Sequence, residues 1–215
     1  STPGAEAPAE MTFSLPELKA FGGAELLPQT LHNLYTLRGA KVRDALQWAN
    51  YIDASRAQAA GAEVLFNQHH WPVWGQDNIQ AFLTAQRDVY RYLHDQTVRL
   101  MNTGLTAPEI AEQLRLPASL DQHLHVHGYY GTLKHNVRAI YQFYLGWFDA
   151  NPANLDPLPP VAAAAKYVAL AGGSEPLLAA AEHAYAEGDY RWAAELGKHL
   201  LYVNPDNQAA RDLQA

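Results

Sequence analysis

The chain has 215 residues, enough for one generous domain or two small ones, and either could bury a real core. Hydrophobic residues at 48% against 17% charged mark a globular chain, and 22 acidic against 15 basic side chains (net charge -7) argue against a nucleic-acid footprint. Apolar runs such as Val161 to Ala165 do not exceed five residues, far too short to cross a bilayer, and the lack of cysteine removes disulfides, thiolate zinc sites and cysteine nucleophiles while leaving the redox compartment open.

The opening STPGAEAPAE has no start Met, no basic n-region and no apolar h-region, and reads like the middle of a longer protein. Met11 to Leu15 shows period two, Val42 to Ala60 places Val42, Leu46, Ala49 and Ile52 at helical spacing, and Ala62 to Phe66 is a short β-capable run. Strand, helix and strand predict an α/β fragment that needs partners beyond itself. Composition then shifts near Gly75.

From there the pattern is helical. Ile79 to Met101 repeats Phe82, Val89, Tyr92, Leu93 and Leu100 every three or four positions and stops at Asn102-Thr103-Gly104. Thr106-Ala107-Pro108-Glu109 is a capping box that starts a short helix to about Leu116. Leu133 to Phe148 predicts an aromatic-rich helix, and Asn151 to Pro160, with four prolines, a stiff connector. Leu177 to Glu187, Gly188-Asp189 and Tyr190 to Tyr202 predict a helical hairpin like a tetratricopeptide unit, followed by a helix from Asp206. One such unit cannot bury both faces, so it must stack on other helices or on another chain.

Ten histidines are the notable chemical inventory. His69-His70 follows a predicted strand, where the strand end fixes geometry and the loop leaves coordination positions open; a loop histidine packed on Trp71 or Trp74 is the plain alternative. Glu6 and Glu25 sit beside small residues and glycines and are ligands, bases or surface charges, surface being the default. His123, His125 and His127 alternate, yet they lie in a helical region without a carboxylate partner, which favours a solvated or packing role. Arg38, beside Gly39, carries a fork that matches an oxyanion. His135, at a predicted helix start, is more simply a packing residue.

Several stretches taken together resemble one family. PGAEAPAEM (3–11), LHNLYTLRGAKVRD (31–44), HHWPVWG (69–75), QRDVYRYLHDQTVRL (86–100), GYYGTLKHNVRAIYQFYLGWFDANPANLDPLPP (128–160) and GDYRWAAEL (188–196) are similar to the class III linear alkyl sulfatases of the metallo-β-lactamase superfamily. Those are zinc enzymes that hydrolyse alkyl sulfate esters such as dodecyl sulfate. The resemblance implies a mainly α chain: the C-terminal part of an α/β metallo-β-lactamase fold over 1–75, then an all-α, tetratricopeptide-like dimerisation domain over 76–215, cut short at its end.

It further implies two zinc ions in the full-length enzyme, with Glu6, Glu25 and His70 among the metal ligands. Asn33 and Arg38 would face the sulfate, His135 would lie near the ester, and the aromatic helix would help line a groove for the alkyl tail. A homodimer and a periplasmic or secreted location, with a cytoplasmic one still open, complete the expectation. The superfamily's HxHxDH motif is absent from these residues. Where the family usually reads AENATH, Leu26, Leu27, Pro28 and Gln29 follow Glu25, so the loop beside that ligand is altered. Two other readings stand beside this one: a helical dimerisation module without activity of its own, and another metallo-β-lactamase-type hydrolase such as a phosphoesterase or lactonase.

Overall fold

A computed structural model describes residues 1–215. It is mainly helical with one small sheet, and forms two compact units, Ser1–Asp149 and Ala150–Ala215. No helix is long and apolar enough to cross a membrane.

The first unit opens with β1 (Phe13–Leu15) and β2 (Ala20–Gly22), an antiparallel pair turned through a 3-10 turn at Pro16–Leu18 and left-handed Lys19. Helix α1 (Ala45–Gln58) crosses to β3 (Val64–Phe66), which lies parallel to β2, and β4 (Val73–Trp74) closes the order β1-β2-β3-β4. A parallel pair needs such a crossover, and here a single helix supplies it. The expected strand–helix–strand order is therefore present, with two strands, β2 and β4, that were not read. At two and three residues they are too short to show a period of two.

Helix α1 starts where Asp44 Oδ1 accepts a bond from the Gln47 amide at 3.0 Å, three residues after Val42. Helix α2 (Gln76–Met101) follows β4, then α3 (Ala107–Gln113) with its Thr106/Glu109 capping box, α4 (Ala118–Asp121) and α5 (Leu133–Leu145). Helix α5 stops three residues earlier than expected because Gly146 takes φ 76°, which only glycine adopts without strain.

Phe21 and Leu65 on the sheet, Trp48, Ala49 and Ile52 on α1, Ile79, Phe82, Leu83, Val89 and Tyr90 on α2, and Val137 and Ile140 on α5 form one buried cluster. Each such side chain contributes about 1.5–3 kcal/mol on burial. Trp48 and Tyr90 stack at 5.1 Å with 15° between their rings. This shared core moves the compact division to Asp149 and Ala150, away from the compositional shift at Gly75. Helices α2 and α5 bury their apolar faces in this cluster.

The second unit holds α6 (Pro160–Leu170), α7 (Ser174–Ala186), α8 (Tyr190–Val203) and α9 (Gln208–Gln214). Helix α6 begins at the last proline of the expected connector, where proline suits the first turn. The α7–α8 hairpin turns at Gly188 (φ 80°), and Leu177, Ala181, Leu196, Leu200 and Ala210 form its core with Val168 of α6. Several large side chains of this unit stay exposed, among them Tyr167, Leu170, Tyr190 and Trp192.

Candidate metal and anion site

The parallel strands build the site. Ligands in α/β sheets gather beyond the carboxyl ends of parallel strands, and the segments leaving β2 and β3 run side by side there. The Gly23 amide donates to Phe66 O at 2.8 Å and the Gln68 amide to Ala24 O at 3.4 Å. Glu25 leaves β2 and His69 and His70 leave β3. Ala24 (φ 49°) and His69 (φ 74°) take left-handed backbone beside them, conformations that persist only where the surroundings enforce them.

The altered loop after Glu25 is firmly held. Leu26 and Leu27 are fully buried; Trp48 Nε1 donates to Leu26 O at 2.8 Å, and Asn67 Nδ2 donates to Leu27 O at 2.5 Å. The Gln29 amide donates to His70 Nδ1 at 3.4 Å, and its side chain donates to Trp71 O.

A second segment, 31–36, crosses the first. The His32 amide donates to the Tyr90 hydroxyl at 3.0 Å, Asn136 Nδ2 donates to His32 O at 2.9 Å, and the Leu34 amide donates to Asn136 Oδ1 at 2.9 Å. Gly131 packs directly on this backbone: a Cβ there would meet Asn33 N at 2.6 Å. His32 thus lies between Trp48 and Tyr130, at ring distances of 5.4 and 4.9 Å.

Together these segments line a cavity of about 390 Å³ with Glu6, Glu25, Pro28, Thr30, His32, Arg38, Arg43, His69, His70, Tyr129 and Tyr130. Ligand atoms of Glu6, Glu25 and His32 lie within 4.8 Å of one another. Burial pushes the Glu6 carboxyl up, and the Glu25 charge adds to this against the opposing Arg43. Burial would also raise Glu25, but hydrogen bonds and charge from His69, whose Nε2 lies 3.0 Å from Glu25 Oε1, hold it below the usual range.

Burial brings His32 down to about 4, so the ring is neutral at ordinary pH. Its Nδ1 lies 2.9 Å from the Asn33 carbonyl, which can only accept, so Nδ1 carries the proton and Nε2 keeps a free lone pair. A neutral imidazole fixed by a backbone carbonyl, beside two carboxylates, is a donor set that suits a divalent cation such as zinc.

In the metal-free protein the buried imidazole carries a pH signature. The unfolded chain takes up this proton near 6.5 and the folded state only near 4, so the folded pKa is depressed. Between those values the unfolded state holds the extra proton. Stability therefore falls as the pH is lowered from about 6.5 toward about 4, with a slope approaching about 1.4 kcal/mol per unit, and above the upper value His32 adds no pH dependence. Urea unfolding from about pH 7 to about pH 5 should show this slope reduced in His32→Gln. An unchanged slope would mean that the folded protein protonates His32 as readily as the unfolded chain.

Of the residues singled out from sequence, Glu6, Glu25, Arg38 and His70 line this cavity. His70 stands apart from the Glu6–Glu25–His32 cluster, with its Nε2 3.5 Å from Thr30 Oγ1. Asn33 spends its amide inside the protein: Nδ2 donates to Tyr130 O at 3.1 Å, and Oδ1 accepts from Arg43 at 2.5 Å. His135 is not brought to the cavity but lies in a neighbouring groove with Tyr35, Leu37 and Arg138. Successive helix residues diverge by about 100°, so with Asn136 turned inward His135 faces out. The aromatic wall of the cavity is Tyr129 and Tyr130, from the loop before α5 rather than from α5 itself.

His123, His125 and His127 diverge, with His125 against the Phe82 ring at 4.8 Å and His127 Nε2 2.7 Å from Asp121 O. His32, Arg43 and Asn136 were not anticipated. Their only signal was membership of the 31–44 and 128–160 motifs.

Residues 106–215 match the model of the alkyl sulfatase dimerisation family. The chain belongs to that family. The chain is 51% identical over 214 residues to the alkyl/aryl-sulfatase BDS1 of Saccharomyces cerevisiae, covering 99% of the chain and 33% of that protein. It is 49% identical over 216 residues to an (R)-specific secondary-alkylsulfatase of Pseudomonas sp, covering 100% and 33%. The solved stereoselective inverting sec-alkylsulfatase Pisa1 from Pseudomonas sp. superposes with a TM-score of 0.95 at 48% identity, over 99% of the segment and 34% of that chain. The chain thus spans about a third of the length of these relatives.

Proposed function

We propose that the chain is part of a zinc-dependent alkyl sulfatase that hydrolyses linear alkyl sulfate esters and works as a homodimer. The convergence of Glu6, Glu25 and His32 within 4.8 Å, in a cavity that also holds Arg38, carries the reading. The β2–α1–β3 fragment is then the end of a metallo-β-lactamase-type catalytic domain, and the helices after it belong to the dimerisation domain. His70, on the same cavity wall, serves as a further ligand when the other half of a two-zinc centre is present.

Zinc held there supplies Lewis acidity and an activated water. The chain's own residues do the rest. Arg38 is exposed at the turn closed by Gly39; its charge acts on Glu6 across the cavity but its guanidinium makes no hydrogen bond or ion pair, so its fork is free to take two sulfate oxygens. Neutralising the sulfate oxygens in this way lowers the barrier. Tyr129 and Tyr130 offer an apolar wall to the first carbons of the chain.

The full-length protein carrying this segment should release sulfate from dodecyl sulfate, lose that activity to a zinc chelator, regain it with added zinc, and sediment as a dimer. Turnover of phosphate esters or lactones in place of alkyl sulfates would assign it to another hydrolase class. A dimer with no turnover of any ester would leave only the dimerisation module.

A further inference from the structure

We propose that Glu10 is a positioning residue that holds the two carboxylates Glu6 and Glu25 in one arrangement, a proposal that rests on reading those two residues as zinc ligands. The pairing of β1 with β2 puts Glu10 in place. Phe13 lies opposite Gly22, and continuing that antiparallel register three residues past the paired ends brings Glu10 opposite Glu25. The two side chains then part: Glu25 lines the cavity, whereas Glu10 turns its carboxylate onto the backbone and Thr2.

Each carboxylate oxygen of Glu10 serves one ligand segment. Toward Glu25, Oε1 accepts from the Glu25 amide at 2.9 Å. That amide follows Ala24, whose left-handed backbone (φ 49°) persists only where the surroundings enforce it, and a charged acceptor on the next peptide is such a restraint. Toward Glu6, Oε2 accepts from Thr2 Oγ1 at 3.3 Å, and the Glu10 carbonyl accepts from the Thr2 amide at 2.9 Å. Residues 2–10 are thereby closed into a loop with Glu6 at its middle. Thr2 and Ala5 are buried, so the base of this loop is set into the protein. Glu10 is thus tied both to the base of the Glu6 loop and to the residue that opens the Glu25 segment.

A bridge of this kind depends on reach more than on charge. Aspartate keeps the charge but is one methylene shorter, so it could satisfy one segment and not both. Glutamine keeps the length: its Oε1 can accept from the Glu25 amide while its Nε2 donates to the Thr2 hydroxyl. If Glu10 served only to add negative charge near the metal, aspartate would preserve its effect and glutamine would lose it.

The test compares Glu10→Ala, Glu10→Asp and Glu10→Gln with the parent in the full-length protein. Zinc is the probe in chelator competition, and cobalt(II) d–d absorption reports ligand geometry. Glu10→Ala and Glu10→Asp should bind zinc about 10- to 100-fold more weakly, the usual cost of losing a group that orients ligands, and their cobalt bands should shift. Glu10→Gln should return the bands to the parent positions and bind zinc more tightly than the other two. Glutamine no better than alanine would mean that charge rather than reach matters, and overturns the proposal. A purely structural role would lower the melting temperature of the metal-free protein while leaving affinity and cobalt spectrum as in the parent, and that result overturns it too. If Glu10→Ala does not fold, the aspartate and glutamine variants decide; insolubility of all three would show a folding role and overturn it as well. A parent that binds no zinc would refute the ligand reading itself, whereas parent-like binding in all three variants refutes this proposal alone.

Discussion

Glu25→Gln in the full-length protein is expected to weaken zinc binding by roughly 10²- to 10⁴-fold and to abolish turnover. Glutamine keeps the volume of the side chain while removing the anion, and losing a direct ligand costs more than the roughly 10- to 100-fold lost with a group that only orients one. Glu25 is the informative choice because His69 and Glu6 hold it ionised, so it presents an anion without first losing a proton. Its amide is tied separately, donating to Glu10 Oε1 at 2.9 Å, so the backbone should stay in place when the carboxylate is removed. Zinc content after dialysis, read beside the melting temperature of the metal-free protein, is the measurement. Normal zinc content with a normal melting temperature would remove Glu25 from the metal centre.

Arg38→Lys is expected to lower kcat/KM for dodecyl sulfate by roughly 30- to 1000-fold, corresponding to about 2–4 kcal/mol of lost charge-assisted, two-pronged contact. Unlike Arg43, Arg38 forms no hydrogen bond or ion pair inside the protein, so its replacement has little structure to disturb. Zinc content and melting temperature should both match the parent, which separates anion binding from ligation and from folding. Turnover equal to the parent's would take Arg38 out of the substrate site. A fall in turnover together with lower stability would make its role structural.

Part of the site was legible because its residues lie in distinctive stretches. Glu6 in GAEAP, His70 in HHWP and Arg38 in LYTLRG could be placed in one site from the sequence, and they line one cavity. The partners that orient the site were not legible. Asn136 hydrogen-bonds residues more than a hundred positions earlier in the chain, and no local pattern encodes a clamp of that span. The resemblance puts His135 near the ester, yet helix geometry turns Asn136 inward and His135 out.

By itself the sequence determined the helical periods, the caps at Thr106 and Asp189, the hairpin turn at Gly188 and the crossover character of residues 42–66, because each depends on residues only a few positions apart. Only the tertiary structure decided that α2 and α5 share a core with the sheet, that His32 is the imidazole beside the two carboxylates, and that Arg43 joins the segments bearing them. Burial and hydrogen-bond partnership are properties of segments brought together from far apart. A protonation state or a free lone pair exists only once those segments have met.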